Sequence, residues 1–442
     1  MKFDLLNYLK HGRYRPKNLI ESLFAQLSNF IYTKRSKNLS FHILWYKRSS
    51  NSTNYYNNFG RFFLLIINFI SIIVFNKLLI KGIGVSDDVF QTQNCGNDNS
   101  YWPNCKKIDY QKKNLENIDA ILKKIKLQYE YSIQKKTQSD LPFWIKNREL
   151  FKENFFDENG NIVLKKLTNF RNSEIEFSSH LLSSQNIDNL DTRLNKLKAL
   201  RIFVIYHKVA ELVDDDIIIN ITDTNVGNAK FIHYRNQLVN ERILRQAYFL
   251  SQLKRKINLN KEQSNIFCDI GSGYGLLPSI LKKNFNNSKF VIIDLPELNI
   301  LSYYHLKNLF PESKICLSHE IQDKKIINKE LINQYDFIIL EQDDLKKLDD
   351  KMIDCVINTA SLGEMSKLDQ DYYINQIERI TKKYFYSVNR HRSDNVLFSD
   401  TPAYYDFKLS DDCWLIKLYK FSPTFHLEVL LEKNNYDDKN KF

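Results

Sequence analysis

Glycine and proline are scarce in this chain, at 11 and 8 of 442 residues. Together they make up about 4%, against roughly 12% in average usage. That poverty excludes a collagen-like or Pro/Gly-rich low-complexity protein. Cysteine is thin as well. Six cysteines in a chain this long cannot form a disulfide scaffold. Cys95 and Cys105 stand ten apart in a polar segment and read either as two thiols or as a pair. There is no C-x-x-C and no His/Cys cluster, so neither zinc nor any other metal is expected. The opening MKFDLLNYLKHGRYRPKN lacks an apolar run followed by a small-residue cleavage site, which makes the cytoplasm the expected location. Arg-rich tracts, recognition-helix patterns and aromatic–basic RNA-binding signatures are also missing. The net charge of +12 comes from scattered lysines interleaved with acids, so nucleic acid is not the expected partner.

Long hydrophobic runs are missing too, with one exception. Residues 62–75, FFLLIINFISIIVF, are 14 long and flanked by Arg61, Lys77 and Lys81. A bilayer span wants about 20 apolar residues. The segment reads as a buried core helix, an interfacial anchor making peripheral membrane contact, or a tilted span.

What is present is ordinary globular material, 43% hydrophobic and 26% charged, with length for two or three domains. Residues 1–110 form a basic N-terminal region containing the 62–75 segment, with a loop-like stretch at 86–110. Residues 111–259 read as mainly helical. Within them, 115–135, 190–213 and 234–256 have helical apolar spacing. IIINITDTNVGNAKF (217–231) reads as a strand-like run followed by a turn at Gly227-Asn228. From about 260 to 434 the texture changes to short apolar β-branched runs alternating with helices. The runs are 266–271, 290–294, 337–341, 352–358 and 384–389, with helices at 276–285, 297–309 and 369–383. This alternation predicts an α/β fold with a mostly parallel sheet. WLIKLY (414–419) and HLEVLLEK (426–433) add a C-terminal hairpin, and 435–442 is a polar tail.

Three of the eleven glycines fall within five residues, in Asp269-Ile270-Gly271-Ser272-Gly273-Tyr274-Gly275, between a predicted strand and helix. Glycines permit positive φ and close backbone approach to a ligand, and a helix N-terminus follows. The spacing is D-x-G-x-G-x-G. The dinucleotide pattern G-x-G-x-x-G fails because Leu276 takes its third position, and no Gly-Lys-Ser/Thr follows for a P-loop. Asp294 lies 25 residues after Asp269, at the end of the next strand. A carboxylate there can accept both hydroxyls of a ribose. Pro296 and Glu297 then open a helix. The residues alone leave three readings open: this type of nucleoside cofactor, another nucleotide-type cofactor, or a turn that merely packs strand against helix.

FCDIGSGYGLLPSIL, VIIDLPE, CVINTASLGEMS and YSVNR together resemble the bacterial sugar O-methyltransferase family, within the class I S-adenosylmethionine-dependent methyltransferases. LTNFRNS (167–173) and NVGNA (225–229) add to the likeness, which covers roughly 140–434. The resemblance implies a Rossmann-like domain at 260–434 with a seven-strand, mostly parallel sheet and helices on both faces. The helical region before it would cover the cofactor. It implies S-adenosyl-L-methionine as cofactor, held by Asp269, Gly271, Ser272, Gly273, Tyr274 and Gly275. Asp294 would hold the ribose and Leu295 touch the adenine, with Glu341 or Gln342 near the adenine edge. The implied activity is methyl transfer to a sugar hydroxyl in glycan synthesis, the acceptor being free, nucleotide-linked or lipid-linked. Another small-molecule or lipid-linked acceptor, or a non-catalytic cofactor-binding assembly protein, is the alternative.

Ligands in open α/β sheets bind beyond the carboxyl ends of the strands. Asn358, Glu364 and His391 follow the fourth and fifth runs. A sugar hydroxyl needs a base, and Glu364 and His391 are the candidates, with Asn358 orienting substrate or loop. Glu364 could equally be a capping carboxylate, and His391 a solvated loop residue. Arg390 and Arg392 read as ligands for an acidic acceptor or as surface charges. His305 reads as a helix-surface or core histidine.

Overall fold

The computed structural model describes residues 91–92, 118–135, 142–172, 175–181, 202, 205–229, 231–234, 237–259, 262–389, 414–422 and 426–434. The 62–75 segment, Cys95, Cys105, Arg390, His391, Arg392 and the 435–442 tail lie outside them. Among the described residues, no helix is long and apolar enough to cross a membrane.

Three short strands, β1 (Gln91–Thr92), β2 (Ile232–Tyr234) and β3 (Gln237–Val239), form a small antiparallel sheet. The main sheet has eight strands: β4 (Ile266–Ile270), β5 (Lys289–Ile293), β6 (Ile315–Leu317), β7 (Phe337–Leu340), β8 (Ile353–Thr359), β9 (Thr381–Asn389), β10 (Trp414–Phe421) and β11 (Leu427–Lys433). Their order across the sheet is β10-β11-β9-β8-β4-β5-β7-β6. Strands β4 to β9 are parallel, while β11 pairs antiparallel with both β9 and β10.

The helices that position the site are α1 (Ile118–Gln134), α2 (Pro142–Phe155), α3 (Glu241–Lys256), α4 (Leu276–Asn284), α5 (Pro296–Leu309), α6 (Lys329–Asn333) and α7 (Lys367–Ile380). Strand side chains alternate between two cores. Phe267, Phe290, Ile292, Phe337 and Ile357 join Leu244, Ile280 and Leu301 of α3, α4 and α5 on one face. Cys268, Ile270, Val291, Ile293 and Val356 join Ile332 and Ile377 of α6 and α7 on the other. Both faces being covered explains why these strands read as continuous apolar runs.

Four expectations are corrected. The sheet has eight strands, not seven, because β6 is an edge strand of only three residues, too short to register as an apolar run. The run at 217–220 is not a strand. Asp215–Asn220 is helical, with Asp215 and Asp216 in the first turn where they suit the helix dipole. Ile217 and Ile218 are buried while Ile219 is 67% exposed, which is no strand alternation. The helix expected from 234 starts at Glu241, because Asn240 caps it by accepting the Ile243 N–H at 3.0 Å. Likewise α7 begins at Lys367, capped by Ser366, which accepts the Asp369 N–H at 3.2 Å.

Candidate active site

From β4 the chain moves to β5 on one side, and it returns later to β8 on the other. That reversal makes the carboxyl ends of β4 and its neighbours the natural ligand crevice. The glycine turn sits there. The Gly271 N–H donates to the Ile293 carbonyl at 2.7 Å, prolonging the β4–β5 pairing by one residue.

The three glycines all have positive φ, at 76°, 64° and 78°, but they serve different ends. A Cβ on Gly271 would lie 2.1 Å from Ser361 Oγ. One on Gly275, the N-cap of α4, would lie 3.3 Å from Leu306. One on Gly273 would meet nothing within 4 Å. Gly273 is therefore the glycine whose backbone faces open space. Its N–H donates to Asp294 Oδ2 at 2.6 Å, and Ser302 Oγ donates to its carbonyl at 2.7 Å. Tyr274 turns instead into the core, 3% exposed, with its ring 5.6 Å from Phe170.

Asp294 is half-buried at the end of β5. Its Oδ1 accepts the Leu295 N–H at 2.7 Å. Each carboxylate oxygen thus holds one backbone N–H and keeps capacity for a second donor. Burial pushes this carboxyl up to about 7 against those two N–H donors, and Glu364 adds repulsion. Asp269 is 3% exposed, and its Oδ1 has no hydrogen-bond partner among the described residues. Burial raises it to about 7, reinforced by the Asp294 charge, and the neighbouring Ser272 hydroxyl has no hydrogen-bond partner among the described residues either. Leu295 is the half-buried N-cap of α5.

Two residues expected at the adenine edge stand at the start of a short 3-10 helix, Gln342–Lys347, with Glu341 as its N-cap. Glu341 is buried, and its Oε1 accepts Gln128 Nε2 at 2.7 Å and the Ser132 hydroxyl, both from α1. Gln342 is half-buried, donates to Asp369 Oδ1 at 3.3 Å, and accepts the Tyr372 hydroxyl on its carbonyl.

Asn358 is fully buried and spends its amide within the protein. Its Nδ2 donates to Ile270 O at 2.8 Å and to Ser361 Oγ at 2.6 Å, and its Oδ1 accepts Asn389 Nδ2 at 2.7 Å and Leu362 N at 3.3 Å. That geometry holds the loop after β8 and leaves no group for direct chemistry. Glu364 ends that loop, half-buried, and its charge is felt at Asp294. Trp144 Nε1 of α2 donates to its backbone carbonyl at 3.4 Å. His305 is a core residue, fully buried and 5.0 Å edge-on from Tyr274. Burial first, and Arg171 second, hold its imidazole down to about 3. Among the described residues, no group of three or more His, Cys, Asp or Glu is placed to hold a metal.

Sequence reasoning missed two contributors. Glu297 reads as a helix-opening carboxylate, but it is 4% exposed. Burial raises it to about 7, Arg148 opposing and Asp294 and Glu341 reinforcing. The second is Arg171. It lies in LTNFRNS and donates to Asp223, two residues before NVGNA, at 3.0 and 2.6 Å, and to the Val226 carbonyl within NVGNA at 3.3 Å. Burial opposes its charge, but Asp223 outweighs it and keeps the guanidinium ionised. These contacts form one buried latch, whose charged partners stand 52 residues apart.

No family model and no curated protein matches the chain. Solved structures do. One is a SAM-dependent methyltransferase from Aquifex aeolicus, 12% identical, TM-score 0.30, over 51% of this chain and 97% of that one. Another is the pyocyanin biosynthetic protein PhzM, 10% identical, TM-score 0.28, over 44% of this chain and 57% of that one. A third is Haemonchus contortus phosphoethanolamine N-methyltransferase 2 with S-adenosyl-L-methionine, 14% identical, TM-score 0.24, over 37% of this chain and 33% of that one. The chain thus spans less than two thirds of the second and third. Likenesses at this level carry no argument about chemistry, which is read from the chain's own residues.

Proposed function

We propose that the chain is an S-adenosylmethionine-dependent O-methyltransferase that acts on a sugar hydroxyl in bacterial glycan synthesis. The observation that carries the cofactor assignment is the Gly273–Asp294 pair. A positive-φ glycine with open space before it hydrogen-bonds a strand-end carboxylate that keeps capacity for two more donors. That set fits the ribose of a nucleoside cofactor, and the unpartnered Asp269 Oδ1 supplies a further acceptor. S-adenosylmethionine, when bound, supplies a methyl group activated on a sulfonium.

The chain's own residues do the rest. Gly273 lets the backbone approach closely, Asp294 accepts the ribose hydroxyls, and Leu295 gives the adenine an apolar contact. Glu341 and Gln342 lie toward its edge. Asn358 fixes the loop that ends in Glu364. Glu364 holds the acceptor hydroxyl and takes its proton as the oxygen attacks, a contribution of about 10²–10⁴-fold for a placed base. His391 is the second candidate for that role. Residues 260–434 bind the cofactor and 111–259 cover it. The sugar assignment rests on the motif resemblance. The 62–75 segment gives the chain its contact with a membrane carrying a lipid-linked acceptor.

The test is Glu364→Gln, assayed by labelled methyl transfer to a panel of nucleotide-sugars and glycans, with cofactor affinity measured in parallel. Turnover falls about 100-fold or more while S-adenosylhomocysteine affinity stays within about threefold. Unchanged turnover removes Glu364 as the base.

A further inference from the structure

The loop that runs from β8 to Glu364 contains a strained residue. Ala360 has φ 60°, in the left-handed region that a residue with a Cβ occupies only at a cost in free energy. Such a conformation persists where its surroundings over-determine it, and it tends to mark functional sites. Here the surroundings are a buried polar network centred on Asn389, the last residue of β9 and fully buried. Its Nδ2 donates to Asn358 Oδ1 and to Ser387 Oγ, both at 2.7 Å. Its Oδ1 accepts the N–H of Gly363, the residue before Glu364, at 3.3 Å. Ala360 is tied to the same strand, its N–H donating to the Val388 carbonyl at 2.8 Å.

The network has a fixed polarity. At one end is the Ile270 carbonyl, which precedes the glycine turn and can only accept. At the other is the Gly363 N–H, which can only donate. Asn358 Nδ2 donates to Ile270 at 2.8 Å, which turns its Oδ1 toward Asn389. Asn389 must then present its Nδ2 to Asn358 and its Oδ1 to Gly363. Two amides in series satisfy both ends. An aspartate at 389 has no donor for Asn358, and an apolar residue of the same size has neither group. Ser361 Oγ adds a second bond to the Ile270 carbonyl, at 3.2 Å, from the place a Gly271 side chain would fill. The loop carrying Glu364 and the turn carrying Gly273 are thus fastened to each other through one buried chain of amides.

We propose that Asn389 is a positioning residue for methyl transfer: it holds Ala360 in its left-handed conformation and so sets Glu364 relative to the glycine turn. It acts through Asn358 and Gly363. The part played by Glu364 rests on the proposed methyltransferase function. The lock on the loop does not.

The experiment compares the full chain with Asn389→Leu, with Glu364→Gln and with an Asn389→Leu, Ala360→Gly double variant. Leu keeps the volume of Asn and none of its hydrogen bonds. Amide exchange of residues 358–366 is read by mass spectrometry, S-adenosylhomocysteine affinity by calorimetry, and turnover and KM on a panel of nucleotide-sugars and glycans. In Asn389→Leu, exchange across 358–366 quickens by about tenfold or more while β5 stays protected. Turnover falls by about tenfold to a hundredfold, as for a misplaced reacting group. KM and S-adenosylhomocysteine affinity stay within about threefold, because Asn358 keeps its own bond to Ile270. Glycine at 360 removes the penalty of the left-handed conformation, so the double variant recovers protection and turnover by about threefold or more. A loss of packing alone would not be rescued there. Unchanged exchange in a folded Asn389→Leu overturns the lock, and so does a double variant with no recovery. Wild-type turnover in Asn389→Leu, where Glu364→Gln loses it, overturns the positioning role. Turnover lost in Asn389→Leu but kept in Glu364→Gln leaves the lock standing and refutes Glu364 as the base instead. Should no acceptor of the panel react, exchange and its rescue decide alone. Should Asn389→Leu fail to fold, Asn389→Ser, too short to reach Asn358 and Gly363 together, is read in the same way.

Discussion

At the scale of single residues, the three glycines of the turn divide their labour. Gly271 is needed because Ser361 Oγ, bonded to Asn358 and to the Ile270 carbonyl, fills the place of its side chain. Gly273 is needed because something must come close to it. Gly271→Ala is therefore expected to destabilise the fold by about 2–4 kcal/mol, overpacking added to a strained φ. Gly273→Ala costs only the φ strain, about 1–2 kcal/mol. Gly273→Val leaves the protein folded but abolishes cofactor binding. Denaturant unfolding and ligand titration of the three variants check this. Equal destabilisation at 271 and 273 would contradict it. The D-x-G-x-G-x-G spacing made the turn legible in the sequence. It could not tell packing glycine from ligand glycine, because Ser361 arrives from the loop after β8, 91 residues beyond Ile270.

At the scale of elements, the sheet was legible where strands are buried on both faces, since such strands are continuous apolar runs. It was not legible at β6, where three edge residues carry no pattern, or at Asp215–Asn220, where isoleucines lie on a helix. Asn358 shows a similar limit. Its position near the end of β8 suggested a residue facing the crevice, but the structure shows it fully buried, with its amide wholly spent on Ile270, Ser361, Leu362 and Asn389. LTNFRNS and NVGNA were visible as two separate motifs, but Asp223, the acid that pairs with Arg171, lies two residues before NVGNA and carried no mark of its own. Removing one partner of a buried pair strands the other charge. Arg171→Ala is thus expected to lower stability by about 3–5 kcal/mol. The Arg171→Met, Asp223→Leu double variant, which removes both charges, costs less than the single one. A double variant as unstable as the sum of the two singles would mean that the pair is not coupled.

At the scale of the whole molecule, the helical region reaches the crevice through named contacts. Gln128 and Ser132 of α1 bond Glu341, Lys124 pairs with Glu320 at 2.7 Å, and Trp144 of α2 bonds the Glu364 carbonyl. The crevice beneath is rich in carboxyls. Asp269, Asp294 and Glu297 all titrate near 7 in the folded protein, above ordinary values of 3.8 and 4.5. A raised folded value means that the native state holds more protons than the unfolded chain. The stability these three groups contribute is fully present below about pH 4 and is lost as pH rises through about 7. A ligand that donates hydrogen bonds to Asp294 favours its ionised form, so binding at pH 7 expels protons.

The central claim is that this crevice binds the nucleoside of S-adenosylmethionine through Asp294. The most direct test is calorimetric titration of the full chain with S-adenosylhomocysteine at pH 7, in two buffers of different ionisation enthalpy, with NAD as control. Micromolar binding of S-adenosylhomocysteine alone is predicted, with net proton release and a loss of about 1.5–3 kcal/mol in Asp294→Ala. No binding by the folded wild type, or an Asp294→Ala affinity equal to it, would contradict the claim.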